Sequence, residues 1–180
     1  MTARRSAALL AATALAAALT ACAPASAPTP SPTPTGFASE EEAFAAAEAT
    51  YRAYVDALNQ VDLSDPATFE PVYALLDGEA SDEERQTLST YHAEDLTVEG
   101  ETRVTVLELV DWDPDVRTTT LAACVDVSGV DVVNAEGESV VTGDRPDVQS
   151  VLVTLREKPA TNQFKIVSLG GRDGEPSCGN

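Results

Sequence analysis

The sequence predicts an α+β domain in which N-terminal helices pack on one face of a curved antiparallel sheet. From Ser39 to Tyr91, apolar side chains recur at the three- and four-residue spacing of amphipathic helices. From Leu96 to Leu169, β-branched and aliphatic residues tend to alternate with polar ones, at the two-residue spacing of strands. Helices that come first, followed by a run of strands, are typical of an α+β fold.

The first helix is predicted to be long. Ser39 and Glu42 form a capping-box pattern, and Glu40, Glu41 and Glu42 place negative charge at the positive end of the helix dipole. The helical spacing continues to about Asn59, with one shared apolar face: Phe44, Ala47, Tyr51, Val55 and Leu58.

Two shorter helices are predicted next. Asp65 followed by Pro66 is the pattern of an N-cap and a first helical residue, and this helix is expected to end near Gly78. Ser81 and Glu84 repeat the capping-box pattern and predict the start of a third short helix. The apolar positions of the two helices are Phe69, Val72, Tyr73, Leu76, Leu88 and Tyr91.

A β-hairpin is predicted after the helices. Residues 102–112 are rich in β-branched side chains, and residues 113–115 (Asp-Pro-Asp) mark a turn. The first strand is expected to place Val104, Val106, Val110 and Trp112 on one face, and the second strand Thr119, Leu121, Ala123, Val125 and Val127.

Further strands are predicted towards the C-terminus. Residues 130–134 are expected to extend the second strand past a bulge or bend at Gly129. A turn at residues 158–163 precedes the last strand. The predicted strands are a short one at 139–142, a long one marked by Val151, Val153 and Leu155, and a final one at 164–169.

The overall charge excludes one class of partner. The 180 residues carry 30 Asp and Glu against 11 Lys and Arg, for a net charge of −19. Such a surface repels phosphate backbones and anionic lipid headgroups, so we expect no nucleic-acid binding. A solubilising surface outside the cell is the simplest interpretation. Attraction of a basic partner or of cations is the alternative.

The N-terminus has the order of a secretory signal. A basic start, residues 1–5, is followed by an apolar run, residues 7–19, that is too short to span a bilayer as a mature helix. The run ends in Leu19-Thr20-Ala21-Cys22. This stretch resembles the lipobox of bacterial lipoproteins, in which an aliphatic residue, a small residue and Gly, Ala or Ser precede a cysteine.

The lipobox resemblance implies a lipid anchor at Cys22. Its thiol would receive a diacylglyceryl group, because a thiolate is the nucleophile that accepts the lipid, and a peptidase would cut between Ala21 and Cys22. Two acyl chains such as palmitate suffice for durable anchoring. The expected location is therefore the extracellular face of the cell membrane. A plain secretory signal with an incidental cysteine is the alternative, and Arg4-Arg5 leaves the export route open between the general secretory and twin-arginine pathways.

The segment after the cysteine is predicted to be a spacer. Residues 22–36 hold five prolines among Ala, Ser and Thr, with no charge and no large apolar side chain, so they cannot form a core. Extended polyproline II geometry, at about 3.1 Å per residue, would hold the domain up to roughly 40 Å from the anchor. We therefore divide the chain into a signal peptide (1–21), a lipidated tether (22–36) and a folded domain (37–180).

The order of elements in the domain resembles the NTF2-like (cystatin-like cone) superfamily, in which a long N-terminal helix and two shorter ones close over a strongly bent sheet. The domain is also similar to small lipoproteins of high-GC Gram-positive bacteria. In those proteins V-D-W-D-P-D leads into a strand, C-V-D-V-S-G-V-D-V-V-N-A-E-G-E-S-V-V follows, and the chain ends shortly after a cysteine. Here these features stand at Val110–Asp115, Cys124–Val141 and Cys178.

The remaining two cysteines, Cys124 and Cys178, are predicted to form a disulfide. With Cys22 assigned to lipid, they are a pair in an oxidising compartment. Because Cys124 lies on the opposite face from Ala123 and Val125, the C-terminal tail is expected to cross the outer face of the sheet. A metal-binding or redox thiol pair is the alternative, but no C-x-x-C spacing is present.

Other candidate residues have structural interpretations beside functional ones. His92, the single histidine, lies at a predicted helix end, where a capping or surface role competes with a role in a hydrolase triad. Asp111, Asp113 and Asp115 have the spacing that opens a calcium loop, but its glycine and its bidentate glutamate are replaced by Val116 and Ala122. A hairpin turn is therefore expected there, with weak cation binding as the alternative.

The expected function is ligand or protein binding by a membrane-tethered domain without catalysis. No metal or cofactor is predicted, and the partner is expected to be an envelope protein or a small ligand. NTF2-like enzymes of the isomerase or dehydratase type are the first alternative, and fold alone does not establish such chemistry. Groups that could serve a pocket of that kind are Tyr51, Tyr54, Tyr73, Asp56 and Asp111. A structural accessory subunit of an envelope complex is the second alternative.

Overall fold

The computed structural model describes residues 36–178. The predicted signal peptide, the Ala21–Cys22 cleavage site, the lipidated Cys22 and the tether up to residue 35 lie outside the described residues. Within 36–178, no helix has both the length and the apolar character needed to cross a membrane.

Helices precede strands along the described chain. The helical part comprises α1 (Glu40–Leu58), a 3-10 turn (Pro66–Phe69), α2 (Glu70–Tyr73) and α3 (Gly78–Ala93). The strands are β1 (Thr97–Glu99), β2 (Arg103–Asp113), β3 (Thr118–Asp126), β4 (Asp131–Val133), β5 (Val148–Lys158) and β6 (Gln163–Gly171).

The strands form two antiparallel sheets. The larger sheet has the order β2-β3-β5-β6, so that each strand pairs with the next long strand in the chain. The smaller one, which we call the ribbon, pairs β1 with β4 and places Val98 opposite Val132. The hairpin between β2 and β3 turns at Asp113, whose carboxylate accepts hydrogen bonds from the backbone N–H groups of Asp115 (2.9 Å) and Val116 (3.1 Å).

The main core lies between the helices and the larger sheet. α1 packs across β2, β3 and β6, and α3 packs against β6. Alternate residues of the strands point to the helices, as the two-residue period requires. The buried side chains of this core include Tyr51, Tyr54 and Val55 of α1, Leu121, Ala123 and Val125 of β3, Val153 and Leu155 of β5, and Phe164 and Ile166 of β6. A second cluster lies beneath the ribbon, formed by Leu63, Phe69, Leu88, Leu96 and Val132.

The predicted start of the long helix is confirmed. Ser39 is the N-cap of α1, and its hydroxyl accepts a hydrogen bond from the backbone N–H of Glu42 at 3.2 Å. The Glu42 carboxylate accepts from the backbone N–H of Ala38 at 2.9 Å, one residue before the position of an ideal capping box. Asp65 also caps as predicted, since its carboxylate accepts from the backbone N–H of Ala67.

The predicted boundary between the second and third helices is wrong. α2 ends at Tyr73, and α3 starts at Gly78 behind the N-cap Asp77, so the Ser81–Glu84 pattern lies inside α3. The intervening residues pair with β6: Ile166 donates its N–H to the Leu75 carbonyl (3.0 Å), and Asp77 donates its own to the Ile166 carbonyl (2.9 Å). Residues 74 and 75 form a turn, and the bridge between Leu76 and Ile166 then separates α2 from α3.

Three strand predictions also need correction. Register shifts in β2 between Val104 and Val106 and between Leu109 and Asp111 break the alternation, so Val110 is 55% exposed instead of sharing the inner face. Residues 131–133 do not extend β3 but form β4 of the ribbon. The expected strand at 139–142 is reduced to a single bridge between Val133 and Ser139.

The other strand predictions are confirmed by β3, β5 and β6, and so is the α+β class with helices on one face of a curved antiparallel sheet. The residues predicted for the inner face of the second strand are all buried: Thr119, Leu121, Ala123, Val125 and Val127.

Candidate functional site

A cleft of about 200 Å³ opens where the end of α1, the middle of α3 and the ribbon meet. We call it the ribbon cleft. Its walls are mostly apolar, and Glu84 is the one carboxylate among them. The lining residues are Leu58, Asn59, Val61, Glu84, Thr87, Leu88, Tyr91, Val98, Gly100, Thr102, Val130 and Val132. This volume is below the roughly 300–1,000 Å³ of pockets for drug-sized ligands, so it suits a small molecule.

Glu84 enters the cleft because it lies on the inward-facing stripe of α3. Ala80, Glu84 and Leu88 follow one another at four-residue spacing, and Ala80 and Leu88 are buried. One oxygen of the Glu84 carboxylate, Oε2, accepts a hydrogen bond from the Tyr54 hydroxyl at 3.0 Å. The Tyr54 ring is only 6% exposed and belongs to the main core. The pair therefore links the main core to the ribbon cleft.

Burial controls the protonation of this pair. It raises the pKa of Glu84, and the hydrogen bond from Tyr54 opposes that rise because it favours the charged carboxylate. The pKa of Tyr54 is raised by burial and then by the neighbouring negative charge of Glu84. Burial also raises the pKa of Tyr51, one helix turn earlier, to about 12. Tyr54 thus stays protonated and acts as a fixed hydrogen-bond donor to Glu84.

Hydrogen bonds hold the edges of the ribbon cleft in place. The side-chain amide of Asn59 donates to the Thr102 carbonyl and accepts from the Thr102 N–H, both at 2.9 Å, which ties the end of α1 to the start of β2. On the other side, the Arg145 guanidinium donates to the carbonyls of Val127 (3.0 Å) and Val130 (2.6 Å). The walls of the cleft are therefore braced on both sides.

A close backbone approach also positions the ribbon. Gly100 follows β1 with a φ of +82°, and a Cβ atom placed there would lie 1.9 Å from the carbonyl oxygen of Gly129. Only glycine allows both this conformation and this contact. Gly100 thereby lets the chain after β1 pass against the loop that leads into β4.

A larger groove lies on the other side of α1. It measures about 510 Å³ and runs between α1 and the 3-10 turn with α2, lined by Ala53, Asp56, Ala57, Gln60, Thr68, Pro71, Ala74 and Leu75. Its one carboxylate, Asp56, is exposed to solvent. Among the described residues, the lining of this groove includes no carboxylate that is partly buried and hydrogen-bonded to the core, as Glu84 is in the ribbon cleft, which makes the groove the weaker candidate.

The structure separates the five residues considered for an enzyme-type pocket. Tyr51 and Tyr54 are buried on α1, with ring centroids 6.1 Å apart. Tyr73 lies beneath the guanidinium of Arg85, 3.9 Å from the ring centroid. Asp56 and Asp111 are exposed on separate elements. Of the five, Tyr54 alone hydrogen-bonds a group that lines the ribbon cleft.

The remaining predicted sites are structural in this fold. A disulfide joins Cys124 to Cys178 and holds the C-terminal tail on the outer face of the sheet, as expected. Nδ1 of His92 lies 2.6 Å from the Leu63 carbonyl, and its ring packs edge-on against Phe69, so His92 fastens the end of α3. Asp113 uses its carboxylate to form the hairpin turn. Among residues 36–178, no group of three His, Cys, Asp or Glu side chains is arranged to hold a metal ion.

Sequence reasoning misses the role of Glu84. Ser81 precedes it by three residues, and this spacing is typical of a capping box. A helix that starts at Gly78 instead places Glu84 on the same stripe as Ala80 and Leu88, with Tyr91 close by. A charged residue on an apolar stripe is the available signal, and the wrong helix start conceals it.

Comparison with known proteins identifies the fold. No protein family and no curated protein matches the sequence. Among solved structures, a protein from Novosphingobium aromaticivorans, provisionally named an aromatic ring hydroxylase, is similar over 74% of this chain and 96% of its own, with 13% identity and a TM-score of 0.51. The intermembrane space region of the chloroplast protein ARC6 shows 10% identity over 71% of this chain and 95% of its own, with a TM-score of 0.49.

The protein Aln2 from a Streptomyces species is also similar, with 12% identity over 73% of this chain and 89% of its own and a TM-score of 0.44. The likeness to the Novosphingobium protein, at 13% identity, bears on the fold and not on the activity. The domain is thus an α+β protein with an NTF2-like cone fold, as the sequence predicts.

Proposed function

We propose that this chain is a membrane-anchored extracytoplasmic lipoprotein whose NTF2-like domain binds a small ligand in the ribbon cleft without transforming it. The observation that supports the binding role is the Glu84 carboxylate, hydrogen-bonded by Tyr54 and set among apolar walls. A carboxylate at a partly desolvated position costs stability unless it is paired. Groups of this kind, with perturbed pKa values in a cleft, concentrate at functional sites.

The anchor is supported by the sequence outside the described residues. Cys22 ends a lipobox-like stretch, and the proline-rich residues that follow suit a spacer. The test is Cys22→Ser in the full chain. The variant is expected to appear in the medium or to keep its signal peptide, whereas the unaltered protein fractionates with membranes. A Cys22→Ser protein that is both cleaved and membrane-bound would contradict the anchor.

The binding role is tested with a probe that matches the cleft in size. Benzyl alcohol is added to the full-length protein in detergent, and backbone amide shifts are followed by NMR. We expect the largest shifts at cleft residues such as Thr87 and Tyr91. Val98→Phe is expected to abolish them, because Val98 is 40% exposed at the cleft wall and a larger ring there fills the space.

The matched control is Val110→Phe, the same exchange at an exposed position of β2 away from the cleft. It should leave the benzyl alcohol shifts unchanged. Equal loss of the shifts in both variants, or no shifts at the cleft residues of the unaltered protein, would contradict binding in the ribbon cleft.

One observation favours an enzyme of the isomerase or dehydratase type as a second candidate. Glu84 combines a raised pKa with access to the cleft, which are the properties of a general base that removes a proton next to a carbonyl group. Exchange of the α-hydrogens of cyclohexanone in D₂O tests this function. A rate above that of buffer that is lost in Glu84→Gln and kept in Glu83→Gln would support it, and a rate equal to that of buffer would contradict it.

A further inference from the structure

We propose that the ribbon cleft selects small organic ammonium ions, with the cationic nitrogen paired to Glu84 and the apolar body packed against the ribbon. This inference rests on the proposed binding role of the cleft and adds the chemical class of its ligand. Three features of the described residues lead to it: the single charge of the cleft, the hydrogen-bonding capacity left in its walls and the shape of its apolar part.

The charge of the cleft is negative and unneutralised. Glu84 is the one acidic or basic side chain among the lining residues. The ion pairs formed by described residues, Arg52–Glu48, Arg103–Glu101 and Lys158–Asp77, do not include it. The nearest basic residue along α3, Arg85, lies over the ring of Tyr73. A ligand cation would therefore meet the Glu84 carboxylate without competition from an existing partner.

The hydrogen bonds already made leave acceptors free for a donor. Tyr54 occupies Oε2 of Glu84, whereas Oε1 accepts no hydrogen bond from another described residue. The amide of Asn59 is already committed to Thr102. Thr87 and Tyr91 also line the cleft, and the hydroxyl of neither forms a hydrogen bond with another described residue. A carboxylate oxygen and two hydroxyl oxygens can accept the three N–H bonds of a primary ammonium group.

The apolar part of the cleft suits a small hydrocarbon body. Its apolar lining comprises Leu58 and Val61, at and just after the end of α1, and Val98 and Val132 of the ribbon. An anion would place its charge beside Glu84 and be repelled. A neutral ligand could pack against the same walls but would leave the Glu84 carboxylate without a counter-ion in a partly desolvated position. An ammonium ion is the class that satisfies both parts of the cleft.

Three probes of nearly equal shape test this inference: benzylammonium, benzyl alcohol and benzoate. Each is titrated into the full-length protein in detergent, and its affinity is measured from the amide shifts of cleft residues. Because a hydrogen bond to a charged group contributes about 1.5–3 kcal/mol, benzylammonium is expected to bind at least about tenfold more tightly than benzyl alcohol. Benzoate is expected to bind more weakly than either.

Two variants test whether Glu84 is responsible for the preference for benzylammonium. In Glu84→Gln, the affinity for benzylammonium is expected to come within about twofold of the affinity for benzyl alcohol. Glu83→Gln, on the exposed side of α3, should keep the tighter binding of benzylammonium. If Glu84→Gln fails to fold, the comparison of the three probes on the unaltered protein still decides the inference.

The outcomes separate the two proposals. Benzyl alcohol or benzoate binding in the cleft as tightly as benzylammonium would overturn the ammonium inference and leave the binding role intact. Absence of cleft shifts with all three probes would overturn both.

Discussion

The hydrogen bond between Tyr54 and Glu84 can be tested by removing one hydroxyl group. Tyr54→Phe keeps the buried ring and deletes the donor to Oε2 of Glu84. A hydrogen bond to a charged group contributes about 1.5–3 kcal/mol to stability. Because Glu84 lies at the edge of the cleft, a water molecule can compensate for part of the lost hydrogen-bond energy. We therefore expect the free energy of unfolding to fall by about 1–2 kcal/mol, or the melting temperature by roughly 3–6 °C.

The assay is chemical denaturation at pH 7 of the unaltered protein, Tyr54→Phe, Glu84→Leu, whose side chain cannot accept the hydrogen bond, and the double variant. The double-mutant cycle isolates the pairwise energy, which should exceed about 0.5 kcal/mol for groups in contact. Tyr51→Phe is the matched control, because the Tyr51 ring is equally buried but its hydroxyl makes no hydrogen bond with a described residue. A coupling near zero, or an equal loss in Tyr51→Phe, would refute the assigned role of the pair.

Other variants test the cleft carboxylate, the disulfide and the glycine contact. Burial raises the pKa of Glu84, so its contribution to stability is fully present below the pKa of an unfolded glutamate and is lost as the pH rises through the folded pKa. Its neighbouring titratable groups are Tyr54 and Tyr73. Glu84→Gln should therefore gain stability relative to the unaltered protein as the pH rises from acidic to neutral, and a difference that does not change with pH would contradict this. Cys178→Ser removes a disulfide between cysteines 54 positions apart in the sequence. Denaturation should therefore show a free energy of unfolding lower by about 4 kcal/mol. If reductant does not change the stability of the unaltered protein, this prediction is wrong. Gly100→Ala should destabilise by at least about 2 kcal/mol in the same assay because of its positive φ and the Gly129 carbonyl, whereas Gly129→Ala, which meets nothing within 4 Å, should cost far less.

The elements that sequence reasoning predicts correctly carry local signals. The start of α1 is set by Ser39 and its acidic first turn, within four residues of chain. The burial of β5 alternates from Leu152 to Glu157, so its inner face can be assigned by counting, whereas residues 121–125 of β3 are all buried and only the two-residue period of a strand separates its faces. The turn at Asp113 depends on a carboxylate that bonds the backbone two and three residues later.

The elements that sequence reasoning misses depend on residues far away in the chain. α3 starts at Gly78 because the preceding segment pairs with Ile166, which lies in the last strand. The face of Val110 depends on a bulge, and a shift of one residue moves a side chain to the opposite face. β1 and β4 are three residues each and are separated by two long strands, so the strand pattern at residues 130–134 does not reveal its pairing with β1.

The candidate site is predictable only in part for the same reason. Tyr54 is recognisable as a pocket residue, but the spacing of its partner Glu84 from Ser81 favours a helix cap. The two residues are 30 positions apart and lie on different helices. The cleft itself requires the ribbon, whose pairing has no signal in the sequence. The sequence therefore indicates the chemistry of single residues but not their arrangement in space.

The most direct measurement is the detection of intermolecular nuclear Overhauser effects between the aromatic protons of benzylammonium and the methyl groups of the full-length protein. Binding in the ribbon cleft predicts contacts with Leu58 at the end of α1 and with Val98 of the ribbon, which both line it. Contacts with Ala53 and Leu75 would place benzylammonium in the larger groove between α1 and α2 and would contradict binding in the ribbon cleft. Absence of any contact at saturating probe would contradict it as well.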